Sequence, residues 1–288
     1  AQRYFEDARI QKNKANGAKK ALENTEISKL KEEKRVAKNT AAGKLKISKR
    51  NKKFWFEKYR WAILSNGSLF IGGKDAKGND TLVKKHLNST DLYFHADLHG
   101  APSCSLKLNE RLEVVKVTND KIPEGFVSLK INQDLNKEID DARDFSEEIH
   151  QEAAQIAVCW SRAWGSGGSA AAAFYARPSQ VSKTTESGES LGRGSFVVRG
   201  KRNWHKDISL NMGIGIGIIN GVPLPILGTP ETISKIFPRW GKIIPSKEKK
   251  EIVANKISKA TGLAQDDILS CLPPGGCTLE NHGLIINN

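Results

Sequence analysis

Positive charge in this chain is gathered at one end, and that asymmetry decides what each part can fold into. Residues 1–53 carry 17 Lys/Arg against 6 Asp/Glu, a net +11, while residues 54–288 carry 29 against 26, a net +3. A segment that repels itself this strongly is a poor candidate for a packed core. It is expected as a helical arm neutralised by a polyanionic partner, the plainer reading being a solvated helix face. Residues 1–50 lack proline and are rich in Ala, Lys, Glu and Leu. Apolar positions recur at Ala1, Ala8, Ala15 and Leu22, then at Leu30, Ala37 and Ala41, close to the helical period. Asn16-Gly17 and the "ENTEIS" stretch interrupt the pattern. The pattern predicts one or two helices forming part of a basic coiled-coil arm over residues 1–50, its partner strand lying upstream of Ala1. An alanine seam is weak alone and needs that partner.

The remaining length suffices for one large domain or two ordinary ones with a real core. No apolar run approaches the roughly 20 residues of a membrane span, and the longest candidate, "MGIGIGII", reads as a buried strand. The N-terminus shows neither an initiator methionine nor a secretory signal, so the chain is read as a piece of a longer protein. Cys104, Cys159, Cys271 and Cys277 lack metal-ligand spacing and are expected as reduced, cytoplasmic thiols.

At Phe54 the character changes. "FWFEKYRWAILSNGSLFIGGK" predicts two strands joined at Asn66-Gly67, "GNDTLVKKHL" a short helix, and "DLYFHADL" and "CSLKL" strands. Asp144 and Glu147 fit a capping box, with Ile149, Ala153, Ile156, Trp160 and Ala163 forming one buried helix face ended by "GSGG". Three strand-like stretches follow: "AAAAFYARPSQVSK", "GSFVVRGKRNW" and "LNMGIGII". "RWGKIIP", "SKEKKEIVANKISKATG" and "AQDDILSCLPPGG" then read as a strand and two helices. The expected architecture is α+β: the basic arm (1–50), a mainly antiparallel-sheet domain with packed helices (51–222), and a small α/β C-terminal unit (223–288).

Two clusters could carry function. In "HADLHG", His95, Asp97 and His99 would face one side of a strand, which admits a metal site in principle. Yet the i to i+4 span on a strand is about 13 Å, so a polar, ligand- or RNA-facing strand, or one that organises the Gly100–Pro102 turn, is the favoured reading. The second cluster, residues 177–206, holds seven Lys/Arg against two Glu. Lys183, Arg193, Arg199, Lys201 and Arg202 are interleaved with apolar residues. On a hairpin, Arg199 and Lys201 would share a face with Asn203, suiting phosphate contacts, with Trp204 or Phe196 as stacking partners. The plain alternative is an ordinary exposed hairpin. No nucleophile elbow and no phosphate loop occurs, "GGKDAKGND" included, so no enzyme class and no cofactor is expected.

Taken in order, "NKKFWFEKYRWAILSNGSLFIGGKDAKGNDTLVKKHL", "DLYFHADLHGAPSC" and "SQVSKTTESGESLGRGSFVVRGKRNW" resemble the NFACT-R domain of the NFACT proteins of ribosome-associated quality control. The resemblance runs from about Asn51 to about Gly221, and the preceding helix looks like the returning strand of that family's coiled-coil arm. "HADLHGA-SC" resembles the archaeal and eukaryotic branch, and the "LPPGGC" tail looks archaeal. The resemblance implies a partner in the large ribosomal subunit carrying a stalled peptidyl-tRNA, contact with tRNA or rRNA, and tRNA recruitment for C-terminal tailing, mainly with alanine, without mRNA. The family's N-terminal domain and helix-hairpin-helix region have no counterpart in this sequence, so it is not expected to catalyse tailing alone. His95, Asp97, His99 and the Lys183-to-Arg202 hairpin are the motif residues implied to matter.

Three readings stay open on sequence. The favoured one is an RNA- and ribosome-binding module. A metal-dependent nuclease or hydrolase using the His95/Asp97/His99 face is the second. A coiled-coil interaction scaffold, whose exposed seam also offers a surface for self-association, is the third.

Overall fold

The computed structural model describes residues 2–41, 53–115, 122, 125–134, 138–166, 171–185 and 187–285. Helix α1 (Gln2–Ala41) runs unbroken through Asn16-Gly17. A mid-helix glycine costs only about 1 kcal/mol relative to alanine, and the flanking Ala, Lys and Glu are strong helix formers. Its described side chains, 14–31, 33 and 34, are all exposed, including Leu22 and Leu30. Coiled-coil pairing is therefore not seen, and residues 1 and 42–50 of the expected arm lie outside the described residues.

Beyond the arm, β1 (Arg60–Ile63) and β2 (Ser68–Gly72) form the expected hairpin. Its turn closes where the Gly67 amide donates to the Leu64 carbonyl at 2.8 Å. Helix α2 (Ala76–His86) follows, N-capped by Asp75, whose carboxylate accepts from the Gly78 amide. Next come β3 (Leu92–Ala96), β4 (Cys104–Val114) and β5 (Val127–Asn132). Helix α3 (Glu147–Cys159) leads into the single turn α4 (Ala163–Ser166). The strands β6 (Ala171–Ala176), β7 (Val181–Ser182), β8 (Val197–Val198), β9 (Asn203–Ile208), β10 (Met212–Ile219) and β11 (Val222–Gly228) follow. The last elements are α5 (Pro230–Ile236), β12 (Trp240–Pro245), α6 (Lys250–Thr261), α7 (Gln265–Cys271) and β13 (Cys277–His282).

Eleven strands make one sheet whose main path is β13-β12-β10-β5-β4-β3-β6-β9, with β1-β2 attached to β4 and β11 to β10. Its pairs are antiparallel except β5 with β10, so the expected α+β, mainly antiparallel architecture holds. Strand alternation sends Ala62 and Phe70 to one face and Trp61, Ile63, Leu69 and Ile71 to the other. The first face joins α3, α6 and α7 through Ile156, Ile257 and Ile268, and the second packs Leu82, Ile233 and Phe237. The stretch expected as a small C-terminal unit, 223–288, thus adds β11, β12 and β13 to the common sheet and side chains to both cores.

Several sequence boundaries move. α3 starts after Ser146, and Asp144 instead closes a separate 3-10 turn over Ala142–Asp144. The five-residue stripe is buried as expected, but the helix stops at Cys159. There Ser161 Oγ donates to the Val158 carbonyl and accepts from the Ala163 amide, diverting backbone groups from the helical ladder. β6 ends at Ala176 because Arg177-Pro178 removes a ladder donor. "GSFVVRGKRNW" splits into β8 and β9 around Gly200, so Arg199, Lys201 and Asn203 do not share a strand face.

Candidate nucleic-acid interface

Strand β3 ends at Ala96, so the expected one-face array of His95, Asp97 and His99 does not form. After Ala96 the chain turns. The Asp97 amide reaches the Ala172 carbonyl at 2.8 Å, the Leu98 amide reaches the Ala96 carbonyl, and the Ala101 amide reaches the Leu98 carbonyl. Backbone hydrogen bonds shape this turn, and Asp97 and His99 are left exposed on it. Among the described residues no group of three or more His, Cys, Asp or Glu is placed to hold a metal ion.

His95 stays on the strand, half-buried, with its ring stacked at 6.3 Å and 8° to Tyr93 and tilted on Phe174 at 5.9 Å. Burial lowers its pKa, against hydrogen bonds to the backbone of Ala101 and Ala96, so the imidazole is neutral at pH 7. Phe174 also meets Trp204 at 5.1 Å and carries the Arg202 guanidinium 4.9 Å over its ring. An aromatic row with a cation across it therefore runs from β3 through β6 to β9.

The basic hairpin is folded onto α2 rather than splayed into solvent. Asp80 receives both Lys183 Nζ, at 2.7 Å, and the Gly194 amide, at 3.0 Å. Lys183 also donates to the Gly192 and Ser195 carbonyls and lies 4.6 Å over the Phe196 ring. Gly194 has φ +78°, and a Cβ there would come within 2.7 Å of Ala76, so only glycine allows this approach. Arg199 is committed to the Thr184 and Thr185 carbonyls, and Arg202 donates to the Val198 carbonyl at 3.3 Å.

Docking the hairpin encloses a cleft of about 780 Å³ between the end of β3, the start of α2, the α3–α4 corner and residues 193–198. His95, Asp97, His99, Arg193 and Arg202, from the two sequence clusters, all line it. Lys183, Arg199, Lys201 and Trp204 do not; Lys201 lines a neighbouring hollow of about 460 Å³ together with Arg143, Tyr175 and Arg177. Sequence reasoning missed three further cations of the main cleft: Arg60, Lys74 and Arg162. The signal for Lys74 was its place between a strand and an N-cap; Arg60 and Arg162 gave none.

The cleft sets five cations against two carboxylates, Asp75 and Asp97, and Asp75 already caps α2. None of the five forms an ion pair among the described residues. Arg60 donates to the Leu272 carbonyl at 3.2 Å and Lys74 to the Glu57 carbonyl at 3.0 Å. Desolvation, then the charges of Arg60 and Lys53, lower the Lys74 pKa, against a smaller opposing pull from Glu57.

An α+β domain with a cationic cleft edged by aromatic rings has the features of a polyanion-binding module. Comparison with known proteins narrows this: residues 52–200 match the NFACT protein RNA binding domain, and the chain belongs to the NFACT family of ribosome quality control proteins. It is 36% identical over 233 residues to the archaeal Rqc2 homolog aRqcH of Methanocaldococcus jannaschii, covering 80% of this chain and 30% of that protein. It is likewise 36% identical over 167 residues to the ribosome quality control complex subunit NEMF of Mus musculus, covering 58% of this chain and 13% of that one. The chain thus spans less than a third of the length of these curated relatives. Among solved structures, the C-terminal part of the fibronectin/fibrinogen-binding protein from Streptococcus suis aligns with a TM-score of 0.34 at 18% identity, covering 57% of this chain and 47% of that one.

Proposed function

We propose that this chain is the RNA-engaging portion of a cytoplasmic ribosome quality-control factor. It anchors the factor on the large ribosomal subunit that carries a stalled peptidyl-tRNA, and helps hold tRNA for mRNA-independent C-terminal tailing. The observation that carries the reading is that residues of both motif clusters, His95, Asp97 and His99 with Arg193 and Arg202, line one cationic cleft built largely from the matched RNA-binding domain. The similarity to an archaeal Rqc2 homolog and to a mammalian ribosome quality control complex subunit supports the ribosomal setting. The +11 arm supplies sequence-independent, salt-dependent attraction to an RNA backbone, and the cleft supplies a local contact. Tailing chemistry is assigned to parts of the factor outside this chain.

The test is tRNA binding by fluorescence anisotropy across a salt series, with the whole chain and with a chain lacking residues 1–50. Log affinity is expected to fall linearly with log salt, at about 0.9 per neutralised phosphate on duplex regions, with a shallower line for the truncation. No tRNA binding at low salt would refute the reading.

A further inference from the structure

Nothing above assigns a ligand to the interior of the main cleft, and its geometry differs from that of a surface meant for duplex RNA. Its volume, about 780 Å³, lies in the range of about 300–1,000 Å³ typical of sites that enclose a small ligand. A-form duplexes are instead met along their outside, over about 16 base pairs for a double-stranded RNA module. The cations here line a hollow bounded on several sides.

Of the three exposed arginines of the hollow, Arg202 donates to the Val198 carbonyl, while Arg162 and Arg193 show no side-chain hydrogen bond or ion pair among the described residues. Arg162 comes from the α3–α4 corner and Arg193 from the hairpin, so both walls present an unpaired guanidinium. In the same cleft Arg202 lies over Phe174, and Phe174 also touches the His95 ring. Guanidinium planes and aromatic rings are the surfaces on which splayed-out bases stack. Free guanidinium groups are the donors that phosphates take in pairs.

We propose that the cleft takes one unstacked nucleotide of an RNA strand, its phosphate met by Arg162 and Arg193 and its base laid on the exposed Arg202 guanidinium, which the buried Phe174 ring backs. This deepens the RNA-binding reading and rests on it. An unpaired loop or end then enters the cleft while duplex regions stay outside.

The experiment uses the whole chain and the Arg162→Glu/Arg193→Glu variant, whose changes are solvent-exposed, with thermal unfolding to check that the fold is kept. Anisotropy is measured on a labelled unpaired oligonucleotide of about eight residues, on the same sequence as a blunt duplex, and on an abasic version of the single strand. The double variant is expected to weaken unpaired RNA about tenfold or more and to change duplex binding less than about twofold. Removing the bases is expected to cost the parent about tenfold and to cost Arg202→Ala far less. Equal losses on duplex and unpaired RNA, or none on either, would overturn the cleft assignment while leaving RNA binding in place. No binding to any RNA would remove the RNA reading itself and the cleft assignment with it. Displacement by a free mononucleotide as efficient as by the oligonucleotide would move the site to a small-molecule ligand. Displacement by polyglutamate as efficient as by RNA would move it to an acidic protein segment, and either result overturns the proposal.

Discussion

Lys107 is 1% exposed and sits 2.5 Å from Asp91, itself 2% exposed, on the strand beside β3. Its ammonium also donates to the His86 carbonyl at 2.8 Å, and Asp91 accepts from the Asn88 and Leu108 amides. Breaking one side of such a pair strands a buried charge, so Lys107→Met is expected to cost about 3–5 kcal/mol in urea unfolding. Neutralising both partners recovers only part of that, because the Asn88 and Leu108 amides would lose their acceptor. His86 supplies a pH dependence. Desolvation, then Lys58, Lys107 and Lys85, hold its pKa down at about 4, while the Trp55 ring stacks on it at 4.6 Å. The unfolded chain therefore binds the proton first, and this residue's contribution is lost as pH falls from 6.5 toward about 4. His86→Phe keeps the stack and is expected to flatten that limb of a melting-temperature profile. The comparison isolates His86 from Glu110, whose buried carboxyl is raised and acts with the opposite sign. Residue chemistry of this kind was hidden in the sequence. Lys107 reads as one of many lysines, and nothing in "HADLHG" says that the strand stops at Ala96.

The hairpin over 181–198 has only two paired residues on each strand, too few to stand alone. Its place on α2 rests on Asp80, so Asp80→Ala is expected to raise hydrogen exchange and proteolytic nicking over 183–195. Global stability should change by only about 1 kcal/mol, because the pair is half-buried and fastens a peripheral hairpin rather than a core. RNA affinity should fall with it, since Arg193 leaves the cleft wall. Restoring the carboxylate at 80 while testing Lys183→Met asks whether the lysine, counted among the RNA contacts on sequence grounds, acts as a fastener. The element pattern was legible where local signals were strong: the hairpin appears at the Asn66-Gly67 turn, and α2 and α6 overlap the stretches read as helices. It failed where side chains compete with the backbone or proline cuts a ladder, at Ser161 and at Pro178. The packing of hairpin on helix had no sequence signal, because Asp80 and Gly194 are 114 residues apart.

Charge separation, visible in the first 53 residues, gave the arm, and the spacing of Phe, Val and Ile gave an antiparallel sheet. What composition could not give is where the sheet ends, because β10 "MGIGIGII" is a central strand with partners on both sides of the proposed boundary at 222/223. The sheet and cores imply that residues 51–222 cannot fold alone. Cutting there removes Leu227, Ile243, Ile257 and Ile268 from one cluster and Ile226, Ile233 and Phe237 from the other. At about 1.5–3 kcal/mol for each buried aliphatic or aromatic side chain, the loss is about 10–20 kcal/mol, as large as the roughly 5–15 kcal/mol that holds a domain folded. It would also expose the β10 edge to aggregation. The arm sets the opposite expectation: the described side chains of α1 are exposed, so their removal takes nothing from either core. Residues 53–288 should therefore unfold in a single cooperative transition within a few degrees of the whole chain, with a lower helical circular dichroism signal. Residues 51–222 should show no such transition and should bind a hydrophobic dye. A cooperative melt for 51–222 would mean that the C-terminal strands are an appended layer and that the cleft stands without them, although Arg60 reaches to the Leu272 carbonyl across that line.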